Sequence, residues 1–194
     1  MVDVKFYFNF RSPYCYLVSK RVFALNEKFH INWIWRPLGG WSGRSAPDRV
    51  VKKLPLVRQD LARWCLRYGI PMNPPPKTTD PTRAAAVSLY AQAEGKLEPF
   101  IVETMRTEWA EGQDIGEIDV LRKIAKSIGL NESNAMDAAD DPNNLKQLEH
   151  YGKEADDDGV IGVPSFVIGD QIFWGNDRLD FVEEHLMQLR ARRI

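Results

Sequence analysis

The sequence predicts an α/β protein whose sheet is shared between its two ends, with an all-helical segment inserted between the halves. Three observations predict this. Residues 4–10 and 30–36 are strand-like runs on either side of one helical segment, which makes a strand–helix–strand half. Residues 165–168 and 171–173 flank Gly169-Asp170 and precede an amphipathic segment, which makes a strand–strand–helix half. Between them, from about residue 47 to residue 158, helical spacing and helix caps recur with no strand pattern.

Val4-Lys5-Phe6-Tyr7-Phe8-Asn9-Phe10 is the first strand. Ser12-Pro13 then opens a helix over 14–28, because proline's missing N–H costs nothing at the first helical position and serine before it is a strong N-cap. In the second strand Ile31, Trp33 and Trp35 share one face, and Asn32, Ile34 and Arg36 share the other. Residues 38–47, with Gly39, Gly40 and Gly43, read as a loop. A helix over 56–68 stops at Gly69-Ile70-Pro71, and Asn73-Pro74-Pro75-Pro76 is an extended, rigid connector. Asp80-Pro81 starts a helix that runs towards Gly95. Residues 98–111 place Phe100, Ile101, Met105 and Trp109 at helical spacing, and 117–128 is stopped by Gly129. Asn131 caps a short helix through Ala139, and Asp141-Pro142 begins one that reaches about Asp158. The last helix starts near Asp177, with Leu179, Phe181 or Val182, Leu186 and Leu189 facing inward.

Composition narrows the function. With 194 residues, 44% apolar and 27% charged, the chain has the make-up of one soluble globular domain with a sizeable core. A net charge of −1 leaves no footprint for nucleic acid or an anionic membrane surface. No apolar run approaches the roughly 18 residues that span a bilayer. Met1 leads straight into a strand, without a charged n-region and apolar h-region, so the expected location is cytoplasmic. Cys15 and Cys65 make no disulfide framework. His30, His150 and His185 share no metal-ligand spacing, so no metal is expected.

Ser12-Pro13-Tyr14-Cys15 is the most informative stretch. A thiol–disulfide enzyme keeps its nucleophilic cysteine at a helix start, where the free N–H groups stabilise a thiolate. Here that position is Ser12, so the turn looks built to hold a thiolate supplied by another molecule. The plain alternative is an N-cap serine. Cys15, one helical turn on, has no partner for a local disulfide and reads as a small, packed helix residue. Val163-Pro164 opens the third strand, and on sequence alone a trans bond is the ordinary reading. Asn176-Asp177 before the last helix can hold an α-ammonium and a carboxylate, or simply cap that helix. Lys53, beside Lys52, can meet a carboxylate or belong to a solvated basic pair.

Taken together, these segments resemble one family. Ser12-Pro13-Tyr14-Cys15-Tyr16-Leu17 is similar to the serine motif of kappa-class glutathione transferases and 2-hydroxychromene-2-carboxylate isomerases. Gly162-Val163-Pro164-Ser165-Phe166 resembles the cis-proline segment of thioredoxin-like proteins. Phe173-Trp174-Gly175-Asn176-Asp177-Arg178-Leu179 resembles the glutathione-binding signature near the isomerase C-terminus, which favours the isomerase branch. The resemblance implies a thioredoxin-like fold of the DsbA type, with residues 1–46 and 159–194 as that domain and 47–158 as the inserted helical domain. It implies glutathione as cofactor, a small aromatic 2-oxo acid as substrate, a role in aromatic-compound degradation and a homodimer. It implies Ser12 as the catalytic hydroxyl on the glutathione sulfur. Glutathione would be held by Val163, cis Pro164, Asn176, Asp177, Arg178 and Lys53. Arg44, Tyr14, Trp41 and Trp174 would face the substrate. Thiolate addition to the conjugated carbon would let the former double bond rotate, and elimination would return the thiol. The sequence departs from the family at Arg44, where many members carry asparagine, and at Cys15, often serine. A kappa-like transferase or peroxidase and a DsbA-like thiol–disulfide oxidoreductase are the alternatives; the second lacks its attacking sulfur at position 12.

Overall fold

The structure is a computed structural model that describes residues 1–40 and 47–191. It begins with β1 (Val2–Phe8), α1 (Pro13–Val18), α2 (Leu25–Lys28) and β2 (Ile31–Pro37). Six helices follow without a strand: α3 (Pro47–Tyr68), α4 (Thr82–Ala93), α5 (Leu97–Trp109), α6 (Ile118–Ser127), α7 (Glu132–Ala139) and α8 (Pro142–Asp157). The chain then returns to the sheet through β3 (Ser165–Ile168) and β4 (Gln171–Trp174), and ends in a 3₁₀ turn (Asn176–Arg178) and α9 (Leu179–Gln188). The strand order is β2-β1-β3-β4, with β1 parallel to β2 and both other pairings antiparallel. This is the thioredoxin-like α/β arrangement with a helical insertion that the sequence predicts.

Alternation along β1 divides the sheet into two unlike faces. Val4, Phe6 and Phe8 are buried on one side, where Phe6 stacks on Phe166 at 4.7 Å and meets Trp35 edge-on at 5.6 Å. This aromatic layer is continuous with the helical insertion: Phe10 packs edge-on against Phe100 of α5, in one core with Ala85, Ile101, Met105 and Leu121. The opposite face carries Lys5, Tyr7 and Arg36 under α8. There Lys5 pairs with Asp158 at 2.5 Å and Glu154 at 2.9 Å, Tyr7 donates to Asp158 at 2.6 Å, and Arg36 reaches Glu154 at 2.6 Å. The thioredoxin-like halves and the insertion are thus joined by apolar contact on one side of the sheet and, on the other, by these ion pairs beside a small apolar cluster of Tyr7, Leu38, Ala155 and Val160.

Four local differences from the sequence reading have physical causes. β1 ends at Phe8 because the Asn9 side chain leaves the ladder: its Oδ1 accepts from the Arg11 amide at 2.8 Å and its Nδ2 donates to the Leu38 carbonyl at 2.9 Å. The expected helix over 14–28 breaks after Val18, where the Ser19 hydroxyl and amide both donate to the Tyr16 carbonyl and replace the helical bond. α3 starts at Pro47 and runs on through Pro55, which is exposed, so the carbonyl it leaves without a donor can be met by water. Leu189 is 46% exposed because α9 ends at Gln188, while Leu179, Val182 and Leu186 are buried as expected. The caps at Asn131 and Asp141 form as read, each side chain accepting from an amide of the first turn.

Candidate functional site

Ser12 sits where β1 gives way to α1. Asn9 shapes the turn, its carbonyl accepting from the Ser12 amide at 3.0 Å. Ser12 is extended (φ −96°, ψ 116°) and Pro13 occupies the first helical position. The Ser12 Oγ accepts from the Cys15 amide at 3.3 Å and donates to the Val163 carbonyl at 3.3 Å. Both bonds are long, so the hydroxyl is only loosely committed within the protein.

The Val163–Pro164 peptide is cis. The Val163 carbonyl faces Ser12, and among the described residues its amide makes no hydrogen bond. An amide without a partner, beside a carbonyl that accepts one long bond, can pair with an extended peptide. The Pro164 carbonyl accepts from the Gly175 amide at 2.9 Å, which ties this segment to the turn before α9. A Cβ on Gly162 would sit 2.7 Å from the Trp174 Nε1, so glycine is what lets the indole lie over this loop; Trp174 remains 50% exposed.

Gly175 has φ +116°, and a Cβ there would stand 2.5 Å from the Asp177 Oδ1. Glycine at 175 therefore places the Asp177 carboxylate. That carboxylate is partly exposed and accepts from Arg178 at 2.6 Å. Neither the 3₁₀ turn nor α9 receives a side-chain cap, so the capping alternative for Asn176-Asp177 is not what the described residues display. Asn176 is 2% exposed, and its Nδ2 has no hydrogen-bond partner among the described residues. The turn packs directly against α1. Residues 12, 163–164 and 176–178, remote in sequence, therefore share one surface.

α3 forms the next wall. Its second half packs on α1 through Val57, Leu61, Trp64 and Cys65 around Leu17 and Tyr14. Tyr14 donates to Asp60 at 3.1 Å; burial, with Asp60 and Asp177 adding, pushes its phenol up to about 12. Lys53 is exposed on α3, seven residues before Asp60 and so on the same helix face. Trp41 and Arg44 lie outside the described residues. Cys15 is 1% exposed, and burial pushes its thiol up to about 12, so it remains a protonated, packed thiol.

Two residues of this region escaped the sequence reading. In the sequence Asn9 reads as part of the apolar strand, although asparagine is a common turn former. Arg11, just before Ser12, carries no motif. Its guanidinium lies 5.3 Å over the Trp109 ring and 3.9 Å from Glu108, and donates to the Pro76 carbonyl at 3.1 Å. The grooves of about 850 Å3 between α4, α7 and α8 and about 380 Å3 beside Leu38 and Val160 are not lined by Ser12, Pro164 or Asp177.

Comparison with known proteins agrees with this fold. The DSBA-like thioredoxin domain family matches residues 3–187. A 2-hydroxychromene-2-carboxylate isomerase of Sphingobium xenophagum is 30% identical over 192 residues, covering 95% of this chain and 97% of that one. The protein of the same name from Pseudomonas putida is 27% identical over 196 residues, covering 96% and 95%. A solved selenomethionine 2-hydroxychromene-2-carboxylate isomerase superposes with a TM-score of 0.85 at 25% identity, covering 96% of this chain and 95% of that one.

Proposed function

The chain belongs to the DSBA-like thioredoxin domain family, and within it we propose that it is a glutathione-dependent cis–trans isomerase of an aromatic 2-oxo acid. One observation carries the reading: a serine hydroxyl, not a thiol, stands beside the Val163 carbonyl before cis Pro164, and the neighbouring Cys15 is buried. The relatives of the same length that bear the isomerase name support the reaction class.

The residues present fit glutathione. The Val163 amide and carbonyl can pair with the cysteinyl part in the manner of an added strand. The partly exposed Asp177 can accept from the α-ammonium, and the Asn176 amide, buried without a partner, can donate to a carboxylate. Lys53 can meet the glycine carboxylate, or the carboxylate of the substrate, from α3. Bound glutathione supplies the thiolate that adds reversibly to the conjugated carbon and makes the former double bond free to turn.

The protein's own part is electrostatic and geometric. Ser12 releases its long bond to Val163 and donates to the sulfur, favouring the thiolate over the thiol. Tyr14 keeps its proton and its bond to Asp60, fixing the wall between α1 and α3. Trp174 offers a half-exposed indole face for an aromatic ring. The same reading makes the protein a cytoplasmic homodimer of aromatic-compound degradation. The test is turnover of 2-hydroxychromene-2-carboxylate, followed by loss of its ultraviolet band, with and without glutathione. Turnover only with glutathione supports the reading; no turnover, or turnover independent of glutathione, refutes it.

A further inference from the structure

Glu108 is a carboxylate with no solvent exposure, carried by α5 of the helical insertion, and it lies behind α1. One charged neighbour among the described residues is Arg11, itself largely buried, with 3.9 Å between guanidinium nitrogen and carboxylate oxygen. Asp114, just past α5, also faces Arg11, and on α1 the buried Cys15 thiol faces Glu108. Trp109 holds the guanidinium from one side, and the Trp109 indole N–H donates to the Phe10 carbonyl at 2.9 Å, so the pair is built into the turn that ends in Ser12.

Stability alone is a poor account of this pair. At 3.9 Å it is a loose ion pair, and a buried ion pair gains little over apolar residues of equal volume once both charges are desolvated. What the pair does have is position. Arg11 adjoins Ser12, and charges buried there act on the Ser12 site with little screening by salt. Glu108 alone would oppose any negative charge that develops at Ser12. Arg11 cancels that field.

We propose that Arg11 and Glu108 form a positioning pair that sets how readily a thiol bound at Ser12 ionises, with Arg11 favouring the thiolate and Glu108 opposing it. This rests on glutathione binding at Ser12, as proposed above. It gives the helical insertion a part in the chemistry of a site whose other contacts to the thiol come from the thioredoxin-like halves.

The test uses the whole protein with glutathione as the probe, titrating the bound thiol by its thiolate ultraviolet absorbance. Arg11→Met leaves Glu108 without that cation, so half-ionisation moves up by about one pH unit, the low end of the shift a neighbouring charge produces. Glu108→Gln removes the larger of the two acid charges facing Arg11 and moves it down by a similar amount. The double variant returns close to the parent, and Arg11→Lys restores most of the effect. Loss of fold alone cannot produce opposite signs from two variants that break the same pair. Shifts in one direction only, or none in either variant, overturn the proposal while leaving glutathione binding intact. If Arg11→Met does not fold, Glu108→Gln decides: an unchanged or raised value overturns it. A parent protein that leaves glutathione's thiol at its free value refutes the functional reading and this inference with it.

Discussion

Replacing Ser12 by alanine separates a structural serine from a functional one. The structure sets what a structural loss would look like. Ser12 makes one capping bond, to the Cys15 amide at 3.3 Å, on a helix of six residues, and one bond to the Val163 carbonyl at 3.3 Å. Removing an N-cap of this kind costs about 1 kcal/mol. For a chain of this size that lowers Tm by about 2–4 °C, which leaves the protein folded at ordinary temperature. If Ser12 also donates to a glutathione thiolate, isomerisation falls by about 100–1000-fold, the range for losing one aimed donor. The bound thiol then ionises at higher pH, because the thiolate has lost a hydrogen bond. Differential scanning calorimetry, initial rates of 2-hydroxychromene-2-carboxylate turnover and titration of bound glutathione measure the three effects. A fall in Tm with turnover and thiol ionisation unchanged would refute the functional role and leave Ser12 a cap. Ser12→Cys gives the complementary outcome: a Cys-x-x-Cys pair at the start of α1 and disulfide exchange that the parent lacks.

Other outcomes follow from the same structure. Asp177→Ala should remove most of the thermal protection given by glutathione, about 2.7 kcal/mol at a hundred times Kd, while apo stability changes little because Asp177 caps no helix. Equal loss of stability in the apo protein would make it merely structural. Cys15 should resist alkylation in the native protein and react once unfolded, since it is buried and its thiol is pushed up to about 12; Cys15→Ser should leave turnover nearly unchanged. Loss of activity in Cys15→Ser with activity intact in Ser12→Ala would make Cys15 the nucleophile. Asp158 and Glu154 are partly desolvated, which alone would raise them, yet Lys5 and Arg36 hold both carboxyls below their ordinary range, with Tyr7 adding at Asp158. Their stabilisation is therefore complete above the unfolded-state pKa, near 4, and is lost as pH falls through the folded values. Asp158→Asn should be less stable than the parent at neutral pH, and that gap should close below about pH 4 in denaturant titrations.

The sequence by itself determined the order of elements and, at three points of the chain, offered motifs with a chemical reading. Alternating aromatics in β1 and β2, the Gly169-Asp170 hairpin, and the caps at Asn131 and Asp141 act within a few residues, and such local rules can be read along the chain. The serine in Ser12-Pro13 likewise announced a helix start without a nucleophilic sulfur. Only the tertiary structure decided what meets there. The cis state of Val163–Pro164 is a tertiary matter, because an isolated X–Pro bond is usually trans. Bringing Val163 to Ser12 takes the pairing of β1 with β3 across more than 150 residues, which no periodicity encodes. The end of β1 at Asn9 needed the Leu38 carbonyl, and the break of α1 at Ser19 came from a bond that competes with a helix the pattern favoured. Arg11 and Glu108 show the difference most sharply. One looks like a loop cation and the other like one more acid on a helix face. They acquire meaning only when the insertion folds back on the sheet and sets the buried Glu108 3.9 Å from the guanidinium of Arg11, the residue before Ser12.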